Sequence, residues 1–324
     1  MIMSCDSEIE YLNNLNFDKI LPSTKTFTVM TNLIIDIQKI FDNIPITKYN
    51  VVKKKRGRKK LSEKITPPQQ LNEGDIINIK LNDKSRGVEL KKKKTTKFKK
   101  WFRNSITIII FFDKFINFKV CKNGTLQITG CKSHQHVIKC IKSLWNFITS
   151  LDNCYTFKEN NELSALIVPC MRNIDFSLGF IIDREKLNTH ISKQQINCLL
   201  ETSFGYTGVN IKIPTQKHLH DIDILKLSYT NGNWQQQKIN YTEYLKILPE
   251  KKRKQKLENK NFNTFLIFHS GKVIMSGINY ELMYDTFYEF IEIIKSIKDK
   301  VKEQLTLENE EELTLEEIQI LMNC

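Results

Sequence analysis

The chain has 324 residues, enough to bury a large core in one or two domains. Fifty Lys and Arg against 36 Asp and Glu leave a formal charge of +14, which favours a polyanionic partner, most simply nucleic acid. Forty per cent hydrophobic content fits a globular fold, and the strongest apolar run, residues 106–112, is too short to span a bilayer.

In chain order, residues 1–22 read as a polar leader with one weak helical turn. A basic start followed by an apolar run is missing there, so a signal peptide and secretion are not expected. Residues 24–32 alternate as a strand with Phe27 and Val29 on one face. A helix is expected from about Leu33 to Asn43. The stretch 48–73 holds a basic run and Pro67-Pro68 and is expected to be mobile. Short strands follow at 74–81 and 105–112, separated by a second basic run. Residues 117–148 then give a hairpin turning at Asn123-Gly124, a break at Gly130, and a helix capped by Ser133. Its inward face is Val137, Ile141, Leu144, Trp145 and Ile148.

Past a link at 149–163, residues 167–180 read as a strand. Helices are expected from Ile181 to His190 and from Lys193 to Leu200, and a strand at 205–214 ends at Pro214. Residues 215–262 form a long insertion with a strand signal in DILKLSY and a third basic run. Residues 263–297 repeat the hairpin and helix. Ser270-Gly271 is the turn, Gly277 the break and Asn279 the cap, with Met283, Phe287, Phe290, Ile291, Ile294 and Ile297 on one face. The tail is acidic, and Thr314 with Glu317 would form a capping box.

Phe118, Gly124 and Gly130 return as Phe265, Gly271 and Gly277, each 147 positions later. Independently, LIIDIQKI at 33–40 returns as FIIDREKL at 180–187 with the same offset. Two matches at one offset indicate a duplicated α+β unit forming two halves of one body. The charge is segregated: residues 53–60, 91–100 and 251–260 carry net +7, +7 and +5, more than the whole excess, and with the tail glutamates Glu308, Glu310, Glu311, Glu312, Glu316 and Glu317 set aside the remainder is close to neutral. Such runs commonly form solvated loops, and here they could also follow phosphates beside a less charged docking face.

Eight cysteines lack a regular framework, which favours free thiols in a reducing compartment. Among Cys131, His134, His136 and Cys140, the pair Cys131-x-x-His134 has tolerable zinc spacing, but His136 and Cys140 fall inside a helix with an apolar stripe that favours packing of Cys140, and no metal or other cofactor is expected. Neither a G-x-S-x-G elbow, a P-loop nor H-E-x-x-H occurs, so an enzyme is not expected.

LIFHSGKVIMSG at 266–277 resembles the LIF-x-SGK-x-x-x-[ST]G hairpin of the TATA-box-binding protein family, and FKVCKNGTLQITGCKS resembles that family's first-repeat hairpin. The basic insertions, NIDFSLGF and YTGVNIKIP look like the divergent versions carried by large DNA viruses. The resemblance implies two pseudo-symmetric repeats in one saddle-shaped antiparallel sheet with helices on its convex face. The implied division is a leader (1–22), repeat 1 (23–150, basic insertion about 48–100), repeat 2 (163–301, insertion about 215–262) and an acidic tail (302–324).

The implied function is binding of AT-rich promoter duplex in the minor groove by a monomer, bending by aromatic wedges, and recruitment of a B-type initiation factor and RNA polymerase. That family is the standard example of minor-groove wedging, so this mechanism is the family's and is not read from these residues. The implied location is a host nucleus or a cytoplasmic viral factory, with packaging in the virion an option, and no membrane partner. Two alternatives stay open: a non-specific architectural DNA-binding protein, and a nucleic-acid repair or processing enzyme using such a module.

Carried over residue by residue, the resemblance places wedges at Phe268, Tyr206, Phe102 and Cys121. The groove face would comprise Leu266, Ile274, Ser276, Asn173, Thr26, Thr28, Lys119, Gln127 and Thr129, with phosphate contacts at Lys132, Lys272 and Lys212. Cys121 and Lys119 depart from the family pattern and imply a more polar contact in the first half. Asp175 would repel phosphate if it faced DNA. Taken without the repeat, Phe268 reads more readily as core, and Asn173 can be read as a turn residue.

Overall fold

The computed structural model describes residues 5–50, 70–90, 103–201 and 207–303. The expected tail, its capping box, and the first two basic runs lie outside these residues apart from their margins.

The chain opens with helix α1 (Cys5–Asn13) and a 3-10 turn at Phe17–Lys19. This corrects the expectation of a polar leader. Leu12 and Phe17 enter a hydrophobic core, and buried Glu8 pairs with Lys298 at 3.1 Å and Lys302 at 2.8 Å. The first half continues with β1 (Pro22–Thr31), β2 (Leu33–Ile35), α2 (Ile37–Asn43), β3 (Ile76–Leu81), β4 (Lys84–Gly87), β5 (Ser105–Phe111), β6 (Phe115–Cys121), β7 (Thr125–Cys131) and α3 (His134–Thr149). The helix expected from Leu33 starts later. Leu33–Ile35 pairs with β8 (Tyr155–Phe157), and Asp36 caps α2 by accepting from the Gln38 and Lys39 amides.

The second half runs β9 (Leu163–Ser177), α4 (Arg184–Lys193), β10 (Asn197–Glu201) and β11 (Gly208–Pro214). Within the insertion come β12 (Asp223–Thr230), β13 (Asn233–Asn240), α5 (Tyr241–Lys246) and α6 (Glu250–Glu258), followed by β14 (Phe262–Phe268), β15 (Lys272–Gly277) and α7 (Tyr280–Val301). The second helix expected near 193–200 is instead strand β10, because β11 offers it a partner along its whole length. The third basic run, which lacks apolar periodicity, is a helix.

The antiparallel strand path is β10-β11-β14-β15-β9-β1-β7-β6-β5-β3-β4, with β12 and β13 added at the free edge of β9. Reading outward from the β9–β1 seam, each half has the same order of first strand, second hairpin strand, first hairpin strand and two earlier strands, and the first half adds β4 at its outer edge.

The duplication extends to single hydrogen bonds. The Ile35 amide donates to the Lys122 carbonyl and the Ile182 amide to the His269 carbonyl, both at 2.8 Å. Asp36 N–H meets the Cys154 carbonyl at 2.8 Å, and Asp183 N–H meets that of Val301 at 2.9 Å. All four atoms of each pair obey the 147-residue offset. Gly124 and Gly271, at φ +73° and +74°, carry the hairpin turns. A Cβ at either would lie 2.2 Å from the Leu33 carbonyl oxygen or 2.0 Å from that of Phe180. Leu33 and Phe180 are also 147 apart.

Alternation puts Phe27, Val29, Ile108, Phe118 and Leu126 of the first half under α2 and α3, and Ile211, Phe265, Val273 and Met275 of the second under α4 and α7. Asn279 caps α7 by accepting from the Leu282 amide at 3.1 Å. The seven α7 residues Met283, Phe287, Phe290, Ile291, Ile294, Ile297 and Val301 enter the second core. At about 1.5–3 kcal/mol each, their burial contributes roughly 10–20 kcal/mol before ordering entropy.

Candidate nucleic-acid interface

Pleat parity sends every second strand residue to the face opposite those four helices. Register then assembles rows. In the second half, Leu199, Asn210, Leu266, Ile274 and Asp175 stand side by side across five strands. Next to them run Asn197, Lys212, Thr264, Ser276, Asn173 and Thr24. In the first half, Lys80, Thr107, Lys119, Gln127, Thr28 and Val168 form one row. Asn78, Ile109, Asn117, Thr129, Thr26 and Met171 form the other.

The expected groove residues Leu266, Ile274, Ser276, Asn173, Thr26, Thr28, Lys119, Gln127 and Thr129 thus share one face. Gln127 is exposed and the others are half-buried. Leu266, Ile274 and Phe268 belong to none of the three cores. Phe268 stands opposite Gly208, which places no side chain directly across the ladder from its ring. Cys121 holds the equivalent place in the first half: each carbonyl accepts from its turn glycine's amide at 2.9 Å. Burial pushes the Cys121 thiol up, and nearby Lys119 opposes this. Lys132, Lys212 and Lys272 are exposed. Tyr206 and Phe102 lie outside the described residues.

The halves differ in chemistry along equivalent rows. Leu266 and Ile274 are matched by Lys119 and Gln127, so the face is apolar on one side of the seam and polar on the other. Asp175 is exposed on this face beside Ile274. Asn173 and Asn210 each shut a carboxamide oxygen away from solvent with no donor to it. Such unsatisfied acceptors are uncommon and cost about 1–3 kcal/mol each. Asn210 was not singled out from the sequence. Its alternation with Lys212 in VNIK was the signal, since both fall on the face opposite Val209 and Ile211.

One end of this face is covered. Met30, Leu166 and Val168, on the face opposite Val29 and Ile167, pack with Leu219, Ile222, Ile224, Tyr241, Tyr244 and Leu245 of the insertion in a third core. A cleft of about 290 Å³ remains between them, lined by Thr28, Val168, Cys170, Tyr241, Tyr244 and Lys256 among others. The Cys170 thiol donates to Thr28 Oγ1 at 3.1 Å. The expectation of a face free of helices therefore fails at the seam, where α5 and α6 lie over it.

The zinc-spaced residues do not converge. Cys131 and Cys140 are buried in the first core, and burial pushes the Cys131 thiol up to about 12. His136 pairs with Asp113 at 2.7 Å, while the His134 ring packs on Phe27. Among the described residues no group of three or more His, Cys, Asp or Glu could hold a metal ion, and no helix is long and apolar enough to cross a membrane.

No family model matches the chain. An uncharacterised protein, 335L, of invertebrate iridescent virus 6 is 28% identical over 295 residues, 87% of this chain and 86% of that one. A TATA-box-binding protein-like chain of Acanthamoeba polyphaga mimivirus is 29% identical over 171 residues, 44% of this chain and 47% of its own length. The solved structure of Methanococcus jannaschii TBP aligns with 86% of this chain and 98% of its own, at 12% identity and a TM-score of 0.39. The duplicated strand order and the sequence similarity to the mimivirus chain make this chain similar to divergent TATA-box-binding-protein-like proteins.

Proposed function

We propose that the protein is a non-catalytic DNA-binding factor of a large DNA virus that seats AT-rich promoter duplex, minor groove inward, on the face opposite α2, α3, α4 and α7. The observation that carries this reading is the apolar row Leu266 and Ile274, flanked by Phe268 and by Asn173 and Asn210 with their unsatisfied oxygens, on the part of the face that enters none of the three cores. At A·T pairs the minor groove offers only acceptors, whereas guanine adds an amino group. An apolar strip with a few amides therefore favours A·T over G·C. Phe268 is the wedge of the second half, Cys121 occupies the equivalent place in the first, and Lys132, Lys212 and Lys272 reach phosphates. The bent complex recruits a B-type initiation factor and RNA polymerase through the helical side, in the host nucleus or a viral factory.

The test is competition between AT-rich and GC-rich duplexes of equal length for the full chain, with a footprint on the winner. Equal binding of both duplexes overturns the promoter reading. The polar row Lys119, Gln127 and Thr28, with the net charge of +14, favours a second reading, a non-specific architectural protein. That reading predicts a steep salt dependence and no base preference.

A further inference from the structure

Helix α6 has the sequence EKKRKQKLE and buries none of its residues. Lysines and arginine are good helix formers, which explains the helix without an apolar stripe. Packing does not explain its charge. Lys251, Lys252, Arg253, Lys254 and Lys256 crowd cations at neighbouring and i,i+4 positions, which disfavours an isolated helix. Glu250 answers only Lys254, at 3.0 Å. Lys256 is turned inward: its Nζ donates to the Tyr241 hydroxyl at 3.3 Å, lies over the Tyr244 ring, and lines the cleft with Thr28, Val168 and Cys170. That contact fixes α6 against the seam end of the groove face. Lys251 and Lys252 are left exposed and Arg253 half-exposed, and none of the three has a carboxylate partner among the described residues.

We propose that α6 is a second duplex-binding element, a phosphate-contacting helix set where the insertion covers the seam. Met30, Leu166 and Val168 cannot touch bases beneath α5, so the chain replaces apolar seam contacts with backbone contacts from Lys251, Lys252 and Arg253. The inference rests on the proposed DNA binding and adds sequence-independent grip to it.

The experiment compares the full-length chain with a Lys251→Gln, Lys252→Gln, Arg253→Gln variant and a Lys300→Gln control on α7. Binding to AT-rich and GC-rich duplexes is followed by fluorescence anisotropy across a salt series. Glutamine keeps helix propensity, and circular dichroism checks the fold. The triple variant is expected to lower the slope of log affinity against log salt by about 0.9 per lost phosphate contact, so by up to about 2.7. Both duplexes should weaken by the same factor, with the control unchanged. If the parent chain binds duplex and the triple variant keeps its slope, or changes only the AT-to-GC ratio, the inference fails while the proposed function stands. If the parent chain binds neither duplex, the proposed function itself fails.

Discussion

Phe268→Ala isolates the wedge. The ring is half-buried, lies in no core, and faces Gly208 across the ladder. Complete burial of a phenylalanine side chain is worth about 1.5–3 kcal/mol, of which about half is already realised in the folded chain. Truncation should therefore cost folding about 1 kcal/mol, a small shift in the unfolding midpoint. The unrealised half becomes available only on DNA, so AT-rich binding should also lose about 1 kcal/mol, roughly fivefold. Cys121→Ala removes far fewer atoms at the equivalent place and should change affinity less than twofold, about 0.4 kcal/mol. The assay is energy transfer between dyes on the two ends of an AT-rich duplex, which reads affinity and bend together. Phe268→Ala should open the bend, and Cys121→Ala should leave it unaltered. Equal bending and affinity for Phe268→Ala and the parent chain, in a folded protein, would refute the assignment of Phe268 as a wedge.

Other consequences concern the frame that holds the face. Gly271→Ala and Gly124→Ala each force a positive φ on alanine and drive its Cβ into a carbonyl, so each should destabilise by about 2 kcal/mol or more, measured by denaturant unfolding. Matching losses at the two sites would support the duplication, and a neutral result at either would count against it. Glu8→Ala removes the buried carboxylate that Lys298 and Lys302 share, leaves Lys298 with the more distant Asp299 at 3.9 Å, and should cost about 3 kcal/mol, whereas a solvated leader would make it silent. Cys131, with its thiol pushed up to about 12 by burial, should resist alkylation at pH 8 until the chain is unfolded, while exposed Cys170 reacts in the folded chain. Mass mapping of the alkylated cysteines reads the order.

Local chemistry fixed much of this protein in advance. Glycines needing positive φ, side-chain caps such as Asp36 and Asn279, and period-2 and helical apolar patterns are all short-range signals. Repeated at one offset, they revealed the twin units, the two hairpins and α3 and α7. The family resemblance, rather than alternation, led to Leu266, Ile274, Lys119 and Gln127 as residues of one face. Three features depended on distant partners. Strand β10 exists because β11 pairs with it, although its residues fit a helix equally well. The leader became ordered because Leu12 and Phe17 found a core made by α7 and β9, and Glu8 found Lys298. The insertion folded over the seam because Tyr241, Tyr244 and Leu245 met Val168, a contact between segments more than 70 residues apart. Periodicity reports which residues of one element share a face. It carries no information on which other element arrives to cover that face, and here that arrival decides how much of the sheet is left open.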